Sequence, residues 1–345
     1  MSYEQTKRWI VDKSNVYLHN SSEIKEAALW IKKGEVVAFP TETVYGLGAN
    51  AFDDTAIQKI FKAKGRPSDN PLIVHIAKVE QLEELVTEIP PVAKKLISAF
   101  WPGALTIIMK RTNGIANSVT AGLDTVGIRM PSHPVALKLI EEADVPIAAP
   151  SANRSGKPSP TNASHVLHDL DGRIAGVVDG GITGLGVEST VIDCSTNRPI
   201  LYRPGGVTKE EIESVIGTIE VDPSLKKETV VPKSPGMKYT HYAPEGKLFV
   251  VEDRGQIRAY IEAAKQNGLR VGVLTTEENA AQYEADIVIA CGSSERLSTV
   301  AQNLYDSLRE FDQQKAEVIY AESFPKEGIG IAIMNRLEKA AEAVL

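Results

Sequence analysis

The sequence predicts an α/β protein with two domains. The N-terminal one is a twisted mixed sheet with helices, and the smaller C-terminal one is a parallel sheet. Three observations carry the prediction. The 345 residues, 43% hydrophobic and 24% charged, make a globular chain of two-domain length and exclude disordered or fibrous classes. Up to residue 220, short apolar runs are punctuated by Gly, Pro and Asn, with few helical periods. After residue 246, strand-like and helix-like segments alternate, as in a doubly wound parallel sheet.

Taken in order, KRWIVD and EVVAFPT read as strands, with a helix between them on Ile24, Ala27, Ala28 and Ile31. A second amphipathic helix starts with Asp54 as its cap and runs through Ile57, Ile60 and Phe61. PLIVHIA, ALTIIMK, TVGIRMP, PIAAPS, GVVDGG and STVIDC are further strands, which completes a domain over residues 1–220. Residues 221–246 hold four prolines and little periodicity, so they read as a linker or an ordered crossing arm. In residues 247–345, KLFVVE, LRVGVLTT, ADIVIA and AEVIYA are strands. Helices are expected over 256–266, over 296–311, and from Ile329 onward.

Charge narrows the function. Residues 1–210 carry 23 basic and 23 acidic side chains, so the net charge of −7 belongs to the C-terminal part. A chain that coats nucleic acid needs a basic face, so tight nonspecific nucleic-acid binding is not expected. Cys194 and Cys291 match no metal or redox spacing and read as bystander thiols of a reducing compartment. The charged N-terminus has no signal-peptide core, and no apolar run would span a bilayer, so a cytoplasmic, membrane-free protein is expected.

Common catalytic signatures are missing. There is no GxxxxGK[ST], no GxSxG and no HExxH, and His165 and His168 read as surface residues. Gly46 to Ala51 fit GxGxxA, but PTETVY separates them from the preceding strand, so a dinucleotide site is not expected there.

Polar clusters in apolar surroundings are the remaining candidates. In PTETVYGLGA, Thr41 and Thr43 with Gly46 and Gly48 suit a loop that lets backbone approach a ligand. A turn capped by threonine fits equally well. Lys62, Lys64 and Arg66 at alternate positions, ahead of Pro67, Asn70 and Pro71, suit a rigid extended grip on a polyphosphate. A solvated charge run is the alternative. His75, in the next strand, suits a core as well as a pocket. Arg129, inside an apolar strand, needs a carboxylate partner, from a ligand or from the protein. Ser151, Ala152 and Asn153 follow the strand PIAA, with Ser159 beyond. Ser189 and Thr190 open a strand, and Tyr202, Arg203 and Pro204 close the series.

Together these motifs resemble the YrdC-like domain family: PTETVYGLGA, KxKxRP with NPL, the SAN tripeptide, and STVID followed by RPG. The SPGMKYTHYAP segment and a Rossmann-like tail resemble the two-domain threonylcarbamoyl-AMP synthases within it, from about residue 14 to the end. The resemblance implies a nucleotidyltransferase that joins L-threonine, bicarbonate (or CO₂) and ATP into threonylcarbamoyl-AMP and pyrophosphate. A separate tRNA threonylcarbamoyl transferase would then modify tRNAs reading ANN codons.

The resemblance also implies roles. Arg129 would bind the threonine carboxylate, in a pocket shaped by Thr43, His75, Ala149 and Ser189. Lys64 and Arg66 would be catalytic. ATP would be held by Lys62, Arg66, Asn70, Thr125, Ser151, Asn153, Ser159 and Arg203. Residues 234–244 would fold over the pocket, with His241 and Tyr242 covering the nucleotide. Mg²⁺ would arrive on the triphosphate, without a protein site of its own. Two other classes are disfavoured: an RNA-binding module, by the neutral N-terminal half and acidic tail, and a carbamoyl transferase acting on another protein, whose zinc-finger segments two isolated cysteines cannot build.

Overall fold

A computed structural model describes residues 3–14, 18–225 and 242–345. It divides into two compact units. The first comprises residues 1–155, 160–184 and 188–238, and the second comprises 156–159, 185–187 and 239–345.

In the first unit the strands are β1 (Lys7–Ile10), β2 (Val37–Phe39), β3 (Gly46–Asn50), β4 (Ile73–His75), β5 (Leu105–Lys110) and β6 (Thr125–Arg129). β7 (Ile147–Ala148), β8 (Gly176–Asp179), β9 (Thr190–Asp193), β10 (Ile200–Arg203) and β11 (Glu220–Val221) follow. They form one sheet in the order β1-β8-β2-β3-β7-β4-β6-β5-β9-β10-β11. β4 and β6 are parallel, while β7 runs antiparallel to β4 and β5 antiparallel to β6, so the sheet is mixed as expected.

The helix Ser22–Lys32 buries Ile24, Ala27, Ala28 and Ile31. This stripe packs with Val135, Ala136, Leu139 and Ile140 over Val37, Phe39 and Ile147. The helix Asp54–Lys64 is capped by Asp53, whose side chain accepts from Thr55 N and Ala56 N, rather than by Asp54. Asp54 instead accepts from Ser118 N at 3.0 Å.

The sheet expectation understated the helices. Pro91–Phe100, Pro134–Ala143, Ala163–Leu170 and Lys209–Ile216 are all helical. The first two begin on the proline itself, whose missing N–H costs nothing at a first helical position. Proline here starts helices and does not punctuate strands.

The segment Gly46–Asn50 is a strand, not a loop, antiparallel to both β2 and β7. Its glycines serve packing rather than a ligand. A Cβ on Gly48 would sit 2.7 Å from both Ile147 and Phe39, and one on Gly46 would sit 3.3 Å from Ala149 and Phe39.

The second unit is a parallel sheet of β12 (Lys247–Val251), β13 (Val271–Thr275), β14 (Ile287–Ala290), β15 (Val318–Glu322) and β16 (Ala343–Val344). Its order is β14-β13-β15-β12-β16, and every neighbouring pair is parallel. The helices Ile257–Gln266, Leu297–Gln313 and Ile329–Ala340 lie within a residue or two of expectation. The short, exposed β16 was not foreseen.

Cys194 and Cys291 are buried free thiols, and burial pushes both up to about 12. His165 corrects an expectation: it is buried, and its Nδ1 accepts from Thr161 N at 3.3 Å, whereas His168 is exposed. Among the described residues no helix is long and apolar enough to cross a membrane.

Candidate active site

Adjacent strands of the first sheet bring most of the proposed threonine residues together. The parallel register of β4 and β6 places His75 directly opposite Arg129. Ala149 follows β7 and donates its N–H to Ile73 O at 2.8 Å, which fixes it beside β4. Ser189 precedes β9, and its hydroxyl lies 2.8 Å from that of Thr106 on β5. Arg203, at the end of β10, donates from Nε to Ser189 O at 3.0 Å and from Nη2 to Ser189 Oγ at 3.2 Å. Gly205 permits this approach of two backbones, since a Cβ there would lie 2.3 Å from Glu188 O.

Arg129 is 3% exposed, which is costly for a charge unless it is compensated. Its Nε donates to Gly103 O at 3.1 Å and its Nη1 to Thr43 Oγ1 at 2.9 Å. Its Nη2 lies 2.6 Å from Glu42 Oε1. A protein carboxylate therefore compensates the arginine, the alternative left open by the sequence. That ion pair is close but misaligned, because neither Glu42 oxygen nor Arg129 Nη2 makes a hydrogen bond. Thr41 builds the turn beneath it: its hydroxyl accepts from Thr43 N and Val44 N and donates to Val44 O. The capped-turn reading and the site reading of PTET thus both hold.

Two buried histidines flank the arginine region. His75 is pushed down to about 3, by burial first and then by the Arg129 charge. Its ring lies edge-on to Phe39 at 6.1 Å. His133 is pushed down to about 4, by burial first and then by Lys13, while Glu42 opposes the shift. Below pH 6.5 the unfolded chain binds protons on these histidines that the folded chain refuses. Stability is therefore full above about pH 6.5 and is lost as pH falls toward 4 and then 3. At pH 5 each histidine is expected to cost about 2 kcal/mol. Thermal melts should show His133→Gln with a flatter pH dependence than the parent between pH 7 and 5, and equal slopes would refute the assignment.

A second cluster joins the basic loop to the SAN segment. Lys64 is buried, and its Nζ donates to Asn153 O at 2.6 Å and also to Ser151 O and Asn153 Oδ1. Ser151 Oγ donates to Asn153 Oδ1 at 2.6 Å. Arg66 Nη2 donates to Asn70 O at 3.0 Å, which closes the loop between them. Asn70 is fully buried, yet neither its amide oxygen nor its nitrogen has a hydrogen-bond partner. A buried orphan amide is costly, which suits a group kept for a ligand. Asn70→Leu is accordingly expected to leave the thermal midpoint unchanged or raised while increasing the KM for ATP. A lowered midpoint with unchanged KM would assign Asn70 to structure alone.

Lys62 is set apart from this cluster. Lys62 and Lys64 lie in one α-helix, so the extended arrangement that would align them with Arg66 does not form. Lys62 is exposed and lines a separate cleft with Tyr3, Lys59 and Arg173. Thr125 opens β6 and lines a small cavity with Pro71, Thr106 and Gly127. Ser159 is buried and belongs to the second unit. Tyr242, also in that unit, stacks on Tyr305 at 5.2 Å, with Arg336 5.7 Å over its ring. His241 and most of the expected covering arm lie outside the described residues.

Glu42, Thr106 and His133 were not singled out in the sequence. Only Glu42 had a signal, its place between two chosen threonines.

A family model for Sua5, YciO and YrdC, described as telomere recombination, matches residues 30–205. A second, described as threonylcarbamoyl-AMP synthase, C-terminal domain, matches residues 207–342. The chain is 59% identical over 339 residues to the threonylcarbamoyl-AMP synthase of Bacillus subtilis, covering 98% of both. The chain belongs to this Sua5/YciO/YrdC family. A Pyrococcus abyssi threonylcarbamoyl-AMP synthase is 50% identical, covering 92% of this chain and 94% of that one. The crystal structure of P. abyssi Sua5 complexed with L-threonine superposes with a TM-score of 0.93 at 47% identity, covering 98% and 99%.

Proposed function

We propose that this chain is a threonylcarbamoyl-AMP synthase that uses ATP. Its substrates are L-threonine and bicarbonate or CO₂, and its products are threonylcarbamoyl-AMP and pyrophosphate. The observation that carries the reading is Arg129, a buried guanidinium held by Gly103 O and Thr43 Oγ1 and paired with a carboxylate, the group an amino acid would offer in its place.

The chemistry asks for positioning more than for covalent catalysis. The threonine nitrogen, as the free amine, bonds to the carbon of CO₂ and loses one proton, or displaces water from bicarbonate as that C–O bond breaks; either route leaves a carbamate that keeps one N–H. A carbamate oxygen then attacks the α-phosphorus of ATP, and pyrophosphate departs. In this reading Thr43, His75, Arg129, Ala149 and Ser189 hold threonine. The neutral imidazole of His75 adds no positive charge to the arginine side. Lys64, Arg66, Asn70, Ser151, Asn153 and Arg203 face the nucleotide, with Thr125 at the start of β6 beside them.

Among the described residues no group of three or more His, Cys, Asp or Glu side chains could hold a metal ion. Those described residues offer no donor set for a protein-held Mg²⁺. Mg²⁺ would enter on the triphosphate, whose oxygens suit it. The product would pass to a tRNA threonylcarbamoyl transferase in the cytoplasm, so this protein needs no tight RNA contact of its own. Pyrophosphate release from ATP tests the reading: it should require both threonine and bicarbonate, and release indifferent to either would overturn it.

A further inference from the structure

Glu42 has no place in the chemistry above, yet its carboxylate is buried, lies 2.6 Å from the key arginine and makes no hydrogen bond. A carboxylate in that condition is poorly satisfied where it stands, and would be worse off with no cation at all. A simple carboxylate ligand on Arg129 would leave it so. An amino acid would not, because it carries its ammonium one carbon away from its carboxylate. Inserted between the two side chains, a zwitterion gives Arg129 an anion and Glu42 a cation, and the buried net charge does not change.

We propose that Arg129 and Glu42 form a two-sided receptor for the amino-acid zwitterion. Glu42 neutralises Arg129 until a substrate carboxylate competes for it, then turns to the substrate's α-ammonium. This inference rests on the synthase reading and deepens it, since it assigns selection of the α-amino group to a residue outside the predicted set.

The surroundings allow the turn. Glu42 is held through its backbone carbonyl, which accepts from Gly184 N at 3.2 Å, while its carboxylate has no second anchor. His133 is 6% exposed, and neither ring nitrogen has a partner. A neutral imidazole keeps one N–H, which is available to a carboxylate that has moved away from the arginine. The hydroxyls of Thr41 and Thr43 hold the other side of the turn at 2.8 Å from each other.

Calorimetry with L-threonine and (R)-3-hydroxybutanoate, its analogue lacking the amino group, tests the proposal. The parent protein should prefer threonine by about a hundredfold or more. In Glu42→Gln threonine should weaken by about tenfold or more while the analogue tightens, because no buried carboxylate is then stranded. Glu42→Asp retains the charge and should keep the preference at reduced affinity, which a merely structural role would not predict. Equal changes for both ligands in Glu42→Gln, or unaltered threonine binding, would overturn the receptor while leaving the synthase intact. A parent protein with no threonine binding and no threonine-dependent pyrophosphate release would overturn both.

Discussion

Arg129→Ala is expected to raise the KM for threonine by roughly 30-fold to 1000-fold, the equivalent of about 2–4 kcal/mol for a lost charged contact in a buried site. The same substitution strands Glu42, whose buried carboxylate then loses the guanidinium that lies 2.6 Å from it. Global stability should therefore fall by about 3–5 kcal/mol. The two effects can be separated. In the double variant Arg129→Ala with Glu42→Gln, the stranded charge is gone, so the thermal midpoint should recover most of its loss. Threonine binding should not recover, because the carboxylate receptor is still missing. Steady-state kinetics with calorimetric melts of the three variants provide the check. An unchanged threonine KM in the single variant would remove Arg129 from the site.

Lys64→Met carries the second largest expectation. The substitution keeps the length and the buried apolar stem but deletes an ammonium that binds Ser151 O, Asn153 O and Asn153 Oδ1. Those contacts tie the end of the helix Asp54–Lys64 to the SAN segment, so its loss frees one half of the proposed nucleotide cradle from the other. Pyrophosphate release should drop by about a hundredfold, consistent with losing roughly 3 kcal/mol of oriented charge. The KM for ATP should rise more than that for threonine. If the rates hold and only the melting temperature falls, Lys64 is a brace and nothing more.

The basic loop shows how far sequence reasoning reached. The residue types and their neighbourhood led to a grip on an anion, and Lys64 does meet the SAN segment. The geometry assumed for it was wrong. Periodicity through Ile57, Ile60 and Phe61 continues to Lys64, so Lys62 and Lys64 turn to different faces of a helix. The same period places Lys64 on the buried face and Lys62 on the exposed one. Glycines 46 and 48 mislead in a similar way. Their freedom reads as ligand access, but the space beside them is filled by Phe39, Ile147 and Ala149. A missing Cβ looks the same in sequence whether a ligand or a core side chain fills the gap.

The sequence alone determined the class of the protein: strand and helix periodicities separate a mixed sheet from a parallel one, and the order of short polar motifs matches one family. Local chemistry suffices there, because each signal lies within a dozen residues. It also determined that Arg129 must have an anionic partner, since the cost of burying a guanidinium follows from its apolar strand. Only the tertiary structure decided which partner. Glu42 lies 87 positions earlier in the chain, in a turn between β2 and β3, and sheet pairing through β7 and β4 brings that turn to the end of β6. No local rule links positions so far apart, and the choice of partner belongs to the register of the sheet.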